Sequence, residues 1–356
     1  MRAVVSRGIG QCEVEELGLR PIGARDVLVR IEASGICHSD VSVADGTLDG
    51  PLPAVLGHEG AGTVLATGRA VTGLRAGDRV VLAAVAPCGR CASCGRGESY
   101  LCRELRDVIA PAFLDGDVPV RGVSGLGTLA DELVVDERAA VRVDTDLAAT
   151  HLAVIGCAVL TGAGAVINIA ATRAGDRVLV IGAGGVGLAA VQAAVAVGAT
   201  TVVAVDPSAD ARHAASACGA THTVDSASGS VAAELAHANR GAGFDVTLDC
   251  VGAPATFELA WRETRRGGHV VVIGVPPAHV TVPLPIADVA RSGRRISGCV
   301  YGGSSVHRDV PMYVDLAHAG RLHLDRLVGR TIDLGDVPEV VLRGGHGPGR
   351  TVVVNG

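Results

Sequence analysis

The hydrophobic rhythm of the chain changes near residue 156. Up to about 155, short apolar or alternating runs are broken by Gly, Pro and Asp: AVVSRG (3–8), DVLVRIEAS (26–34), GAGTVLATG (60–68) and DRVVLAA (78–84). A period of two between turn residues predicts short strands, so this half reads as β-rich. From about 156 the apolar runs are RVLVIG (177–182), TVVAVD (201–206), FDVTLDCVG (244–252) and GHVVVIGVP (268–276), separated by alanine-rich stretches of helical length. Strands alternating with helices predict a doubly wound parallel sheet. After about 300, strand-and-turn character is expected to return, ending in RTVVVNG (350–356). The tail is expected to fold back on the first half. The expected fold class is therefore α/β, with a β-rich domain of 1–157 and 301–356 interrupted by a doubly wound domain of 158–300.

Two uncharged stretches, 147–172 (with one histidine) and 178–205, have the length of a membrane span. The second breaks into strand, glycine turn, alanine run and strand, the signature of a buried parallel sheet, so no membrane association is expected. The start, MRAVVSRGIG, has no apolar signal-peptide core. Basic residues number 31 and acidic 37, a net charge of −6 without runs of either sign, so nucleic acid is not an expected partner. With one Trp, three Tyr and three Phe, the core must be aliphatic, and a substrate pocket is expected to be aliphatic rather than aromatic.

Ten cysteines occur as one cluster and scattered singles, which suits a reducing cytoplasm better than a disulfide scaffold. The cluster is Cys88, Cys91, Cys94 and Cys102, spaced C-x2-C-x2-C-x7-C. Short spacings let one loop wrap a tetrahedral zinc with thiolates at about 2.3 Å, and glycines 89, 95 and 97 allow the tight backbone. The x7 gap fits no common ferredoxin spacing. Four thiolates fill the shell, so this ion would be structural. Cys12, Cys218, Cys250 and Cys299 read as plain thiols, and Asp249 as a structural strand end.

Gly182, Gly184, Gly185, Val186 and Gly187 belong to a G-x-G-x-x-G run that follows an apolar strand and opens a helix; Asp206 ends the next strand, 19 residues after Gly187. In that context the run is a dinucleotide fingerprint, with phosphates at the helix N-terminus and the carboxylate on the adenosine ribose. An acid there repels a 2′-phosphate, which favours NAD(H) over NADP(H).

Three further pieces are CHSD (37–40), GHE (57–59) and IGC (155–157). Singly each is weak. Together they can supply two thiolates and an imidazole, the Cys2His set with one open position that catalytic zinc uses in alcohol dehydrogenases. With GHEGAG, the cysteine lobe, GAGGVG, VVIGVP and a closing Arg350 in the same order, the chain resembles the zinc-dependent medium-chain alcohol dehydrogenases over nearly its full length.

That resemblance implies a GroES-like catalytic domain interrupted by a Rossmann domain, and two zinc ions per chain. Cys37, His58 and Cys157 would hold the catalytic zinc, with Glu59 beside it and Asp40 orienting His58. Ser39 would start a proton relay. Thr161, Ile273 and Val275 would contact the nicotinamide, and His38 and Arg350 the pyrophosphate. Leu48, Ala84, Val123 and Ser124 would line a roomy aliphatic pocket. Ser42 stands where some members carry a relay histidine. The implied activity is hydride transfer between NAD(H) and an alcohol–aldehyde or ketone pair bulkier than ethanol. Alternatives are oxidation of a formaldehyde–thiol adduct, reduction of an imine or alkene, and a non-catalytic zinc or redox sensor. Relatives imply a homodimer paired through residues 296–301, or a tetramer.

Overall fold

The computed structural model describes residues 1–102, 104, 110–344 and 347–355, leaving Gly356 of the closing RTVVVNG run outside. The chain divides into two compact units, Met1–Leu160 with Ser304–Leu316 and Val328–Gly356, and Thr161–Gly303 with Ala317–Leu327.

The first unit is built on one long strand, Asp26–Ile36. Its alternating apolar residues Val27, Val29 and Ile31 are at most 1% exposed and pack with Val80, Leu82, Leu133 and Val135. Glu59–Thr67 pairs antiparallel along one edge, and Arg350–Val354 pairs along the other edge of its C-terminal end. Outward from these lie Arg79–Leu82 with Ala140–Arg142 on one flank and Val328–Ile332 on the other. A second sheet carries Gln11–Glu16, Arg2–Gly8, Ala54–Val55, Val118–Gly122, Phe113–Asp115 and Gly18–Leu19 in that order. The closing strand thus does return to the first half of the chain.

The second unit is a six-stranded, wholly parallel sheet in the order His222–Val224, Thr201–Val205, Arg177–Ile181, Phe244–Asp249, Thr264–Val272, Arg295–Gly298. Winding reverses between Arg177–Ile181 and Phe244–Asp249, a topological switch point of the kind where doubly wound sheets take ligands at their carboxyl ends. Leu179, Val180, Val203, Leu248 and Val270 are fully buried, which explains why these strands read as continuous apolar runs. Together the units are a GroES-like domain and a Rossmann-type sheet.

One expectation is corrected. Residues after 300 were expected as strands and turns, yet Val306–His318 and Val337–Arg343 are helices. Val306, Val310, Tyr313 and Val314 are the buried apolar positions of the first, a spacing of four, three and one that suits a helix and not a strand. Pro311 lies inside it and removes one backbone donor, and the packed apolar face outweighs that loss. No single helix among the described residues is long and apolar enough to cross a membrane.

Candidate active site

Sheet register brings the distant ligand candidates together. Gly35 pairs with Glu59, and Ile36 pairs with Thr351, so residues 37, 58, 59 and 350 converge on one end of the long strand. Cys37 begins the short helix His38–Ala44, and Cys157 follows the turn Val154–Gly156. The ligand atoms of Cys37, His58, Glu59 and Cys157 all lie within 4.8 Å of one another. Cys37, His58 and Glu59 are 6%, 4% and 0% exposed. Cys157 is half-buried, and the two sulfurs, imidazole and carboxylate fit a zinc ion by number and chemistry.

Asp40 is the buried hub behind this cluster. Its carboxylate accepts from the backbone N–H of Cys37 at 3.0 Å and of Gly57 at 2.9 Å, and lies 3.3 Å from His58 Nδ1. An N–H on Nδ1 donated to Asp40 leaves Nε2 as the free ring nitrogen for a metal. Gly57 is required here. Its φ is +96°, and an added Cβ would stand 2.4 Å from the backbone nitrogen of Leu129. Arg350, 7% exposed, donates to Glu59 at 3.2 Å and to Cys37 Sγ at 3.4 Å.

These contacts set protonation in the metal-free site. A hydrogen bond with Cys157 holds the Cys37 thiol well below its usual range, against burial and with help from Arg350. That same bond, with burial, raises Cys157. Burial works against a charged His58, but Asp40 and Cys37 outweigh it and raise its pKa. Burial lifts Glu59 to about 7, with Arg350 opposing. A site that already favours thiolate beside cation is prepared for a divalent ion in place of protons.

The second cluster is Cys88, Cys91, Cys94 and Cys102, whose sulfurs also lie within 4.8 Å of one another. Cys88 Sγ and Cys94 Sγ are 3.9 Å apart, too far for a disulfide bond. Sulfurs around a tetrahedral zinc stand about 3.8 Å apart. Backbone N–H groups of Cys88, Cys91 and Cys94 point at neighbouring sulfurs at 3.2–3.4 Å.

A cavity of about 570 Å³ in the first unit is lined by Leu48, Val123 and Ser124, expected in a substrate pocket, and by Ser39, expected to start a proton relay. Ala84 does not line it and packs against the core instead. Asp49, Pro51, Pro111 and Arg121 do line it and were missed; Arg121 stands two residues before Val123, the one local signal for it. Ser39 Oγ also lies 3.8 Å from Cys37 Sγ. A larger cavity, about 1050 Å³, opens at the N-terminal ends of the parallel strands, away from every predicted residue.

In the second unit the glycine run turns from Arg177–Ile181 into the helix Gly185–Ala196. A Cβ on Gly187 would stand 1.9 Å from the Gly182 carbonyl oxygen, so only glycine permits that approach. Asp206 accepts from the N–H groups of Ala183 and Ser208, each at 2.8 Å, which ties the glycine loop to the second strand. Arg212 reaches back to the carbonyls of Asp206 and Pro207 and pairs with Asp225, a contact sequence reasoning missed. Ile273 is 8% and Val275 68% exposed; the Thr161 carbonyl accepts from Cys299 Sγ at 4.0 Å. His38 is exposed on the first helical turn of the first unit.

Known proteins resemble this chain over nearly its whole length. Residues 23–145 match the alcohol dehydrogenase GroES-like domain, and residues 185–319 the zinc-binding dehydrogenase domain. Geraniol dehydrogenase of Castellaniella defragrans is 36% identical over 342 residues, covering 92% of this chain and 90% of its own. S-(hydroxymethyl)glutathione dehydrogenase of Paracoccus denitrificans is 33% identical over 355 residues, 94% of each chain. Benzyl alcohol dehydrogenase of Acinetobacter calcoaceticus superposes with a TM-score of 0.91 at 30% identity, over 100% of this chain and 99% of that one. A zinc-binding dehydrogenase of Sinorhizobium meliloti 1021, bound to NADP, gives 0.84 at 29% identity over 99% of each chain. Matches that run nearly end to end, through both units and both metal clusters, admit one family. The chain belongs to the zinc-dependent medium-chain alcohol dehydrogenases.

Proposed function

We propose that this oxidoreductase transfers a hydride between NAD(H) and an alcohol–aldehyde or ketone pair whose alcohol is bulkier than ethanol. Ser39 carries the reading. Its hydroxyl is 3.8 Å from Cys37 Sγ and also lines the 570 Å³ cavity, so one residue joins the ligand cluster to the space for a substrate.

In this reading Cys37, His58 and Cys157 hold the catalytic zinc, and the four-cysteine lobe holds the second. A zinc ion, when bound, supplies Lewis acidity that acidifies an alcohol and polarises a carbonyl. Ser39 takes the alcohol proton and passes it on; a hydroxyl cannot be its final acceptor. Ser42, buried in the same helix, offers only another hydroxyl, so beyond Ser39 the proton goes to water. Asp40 fixes the His58 tautomer. Arg350 neutralises Glu59 and steadies the Cys37 thiolate, in addition to the pyrophosphate role proposed for it with His38. Leu48 and Val123 give the pocket its apolar lining, beside the charged Asp49 and Arg121. In the second unit, glycines 182, 184, 185 and 187 with Val186 take the phosphates, and Thr161, Ile273 and Val275 the nicotinamide. Asp206 places a carboxylate where a 2′-phosphate would sit, and Arg212 is engaged by Asp225, which together support NAD over NADP.

The protein is proposed to work in the cytoplasm as a homodimer. Ile296 and Val300, 43% and 48% exposed at the sheet edge, support that pairing. The test follows hydride transfer at the NADH absorbance across primary alcohols of increasing bulk. Cys37→Ala should abolish turnover while the circular dichroism spectrum is kept; full activity in that variant overturns the zinc assignment. A sharp preference for ethanol would refute the pocket reading, and turnover of formaldehyde only with a thiol present would select the adduct reaction.

A further inference from the structure

Asp249 ends the strand Phe244–Asp249 at the switch point of the parallel sheet and is fully buried. Its Oδ1 accepts from the N–H groups of Val251 at 3.1 Å and Gly252 at 3.0 Å, an Asx-type turn that shapes residues 250–252. Its main-chain carbonyl accepts from Ile273 at 2.8 Å and Gly274 at 3.0 Å. One residue therefore ties together the two turns that leave adjacent strands on one side of the switch.

Those turns are pressed together. A Cβ on Gly252, whose φ is +79°, would stand 2.5 Å from the carbonyl oxygen of Gly274. A Cβ on Gly274 would stand 2.1 Å from the Val251 carbonyl carbon. The position of 273–275 is thus set by the turn that Asp249 holds. The glycine loop has ties of its own, Gly182 N–H on Val205 and Ala183 N–H on Asp206, both at 2.8 Å, and it meets the turn 250–252 only at its start, where Cys250 N–H donates to the Ile181 carbonyl at 2.9 Å. The Oδ2 of Asp249 is buried and makes no hydrogen bond. An amide could supply the same Oδ1 acceptor without the charge, so the ties depend on the oxygen and not on ionisation.

We infer that Asp249 is a positioning residue for the nicotinamide half of the cofactor. It acts through the turn 250–252 on the segment 273–275 and leaves the adenosine and pyrophosphate half to the glycine loop. This rests on the reading that 273–275 meets the nicotinamide.

Calorimetric dissociation constants for NAD+ and ADP-ribose test it, because the two differ by the nicotinamide. Asp249→Ala loses two accepted hydrogen bonds and should weaken NAD+ about tenfold, with ADP-ribose within about twofold. Asp249→Asn should restore NAD+ binding to within about threefold of wild type. Gly252→Ala separates the same turns while keeping Asp249, and should show the same one-sided loss if Asp249→Ala does not fold. Equal weakening of both ligands, or no weakening of either, overturns the inference. A wild-type protein that binds neither ligand overturns the dinucleotide site itself. One that binds both, with Asp249→Ala unchanged, overturns only the role of Asp249.

Discussion

Asp40→Asn is the substitution whose effect the geometry defines most closely. Asp40 meets three donors, Cys37 N–H at one oxygen and Gly57 N–H with His58 Nδ1 at the other, and it is 0% exposed. An asparagine has one acceptor oxygen and one NH2 group. If the oxygen faces Gly57 and His58, the NH2 opposes Cys37 N–H; if it faces Cys37, the NH2 opposes the other two. Either orientation leaves at least one buried backbone donor unmatched, at a cost of about 1–3 kcal/mol. The ligand imidazole also loses its carboxylate, a change that lowers metal affinity by about 10–100-fold, or about 1.4–2.8 kcal/mol. Urea unfolding of the metal-stripped protein reads the first effect, and competition with a chromophoric chelator reads the second. The cysteine lobe serves as an internal control, since nothing in it touches Asp40. The expected result is one zinc held at wild-type affinity, one held 10–100-fold more weakly, and a loss of turnover to match. Two zincs at wild-type affinity would refute the role given to Asp40.

Other predictions follow from the same structure. The helix Ala92–Gly95 and the turn Ser99–Leu101 have no buried residues, so the lobe depends on its metal for order. Cys94→Ser should leave one zinc per chain and lower the thermal midpoint, with activity lost in consequence; two zincs by elemental analysis would contradict this. Asp206→Ala removes the repelling carboxylate and the acceptor of Ala183 N–H, and should lower kcat/KM for NAD+ about tenfold while narrowing or inverting the preference over NADP+. An unchanged NAD+/NADP+ ratio would count against Asp206 as the discriminating group. Val123→Trp fills part of the 570 Å³ cavity, so kcat/KM should fall with substrate bulk and ethanol should be least affected. A uniform loss across alcohols would place Val123 outside the substrate path.

How much of this could be read beforehand depended on how local each constraint is. The glycine run was legible because its requirement is met within a few residues: Gly187 must be glycine for Gly182 to approach it. The cysteine lobe was legible for the same reason, with all its ligands inside one loop. The tail was misread because Gly302, Gly303, Pro311 and Gly320 punctuate it like a run of turns, although valines 306, 310 and 314 already carry helical spacing. Cys37, His58 and Cys157 were legible as residue types, but no local pattern places them together. What gathers Cys37 and His58 is register, Gly35 opposite Glu59, with Ile36 opposite Thr351 bringing Arg350 beside them, and a slip of one residue would turn every side chain to the other face. Arg350 shows the limit of inference by resemblance. Its proposed pyrophosphate role says nothing of the contacts to Glu59 and Cys37, which arise only because the last strand lies beside the long one. Asp49, in a loop, and Arg121, near a strand end, escaped for the opposite reason: an exposed charged residue reads as solvated until a cavity wall is seen behind it. The reactive centre is therefore encoded twice, in residue chemistry that a sequence displays and in strand pairing that it does not. Asp40 links the two, because it sits in the same turn as Cys37 and reaches across the register to Gly57 and His58.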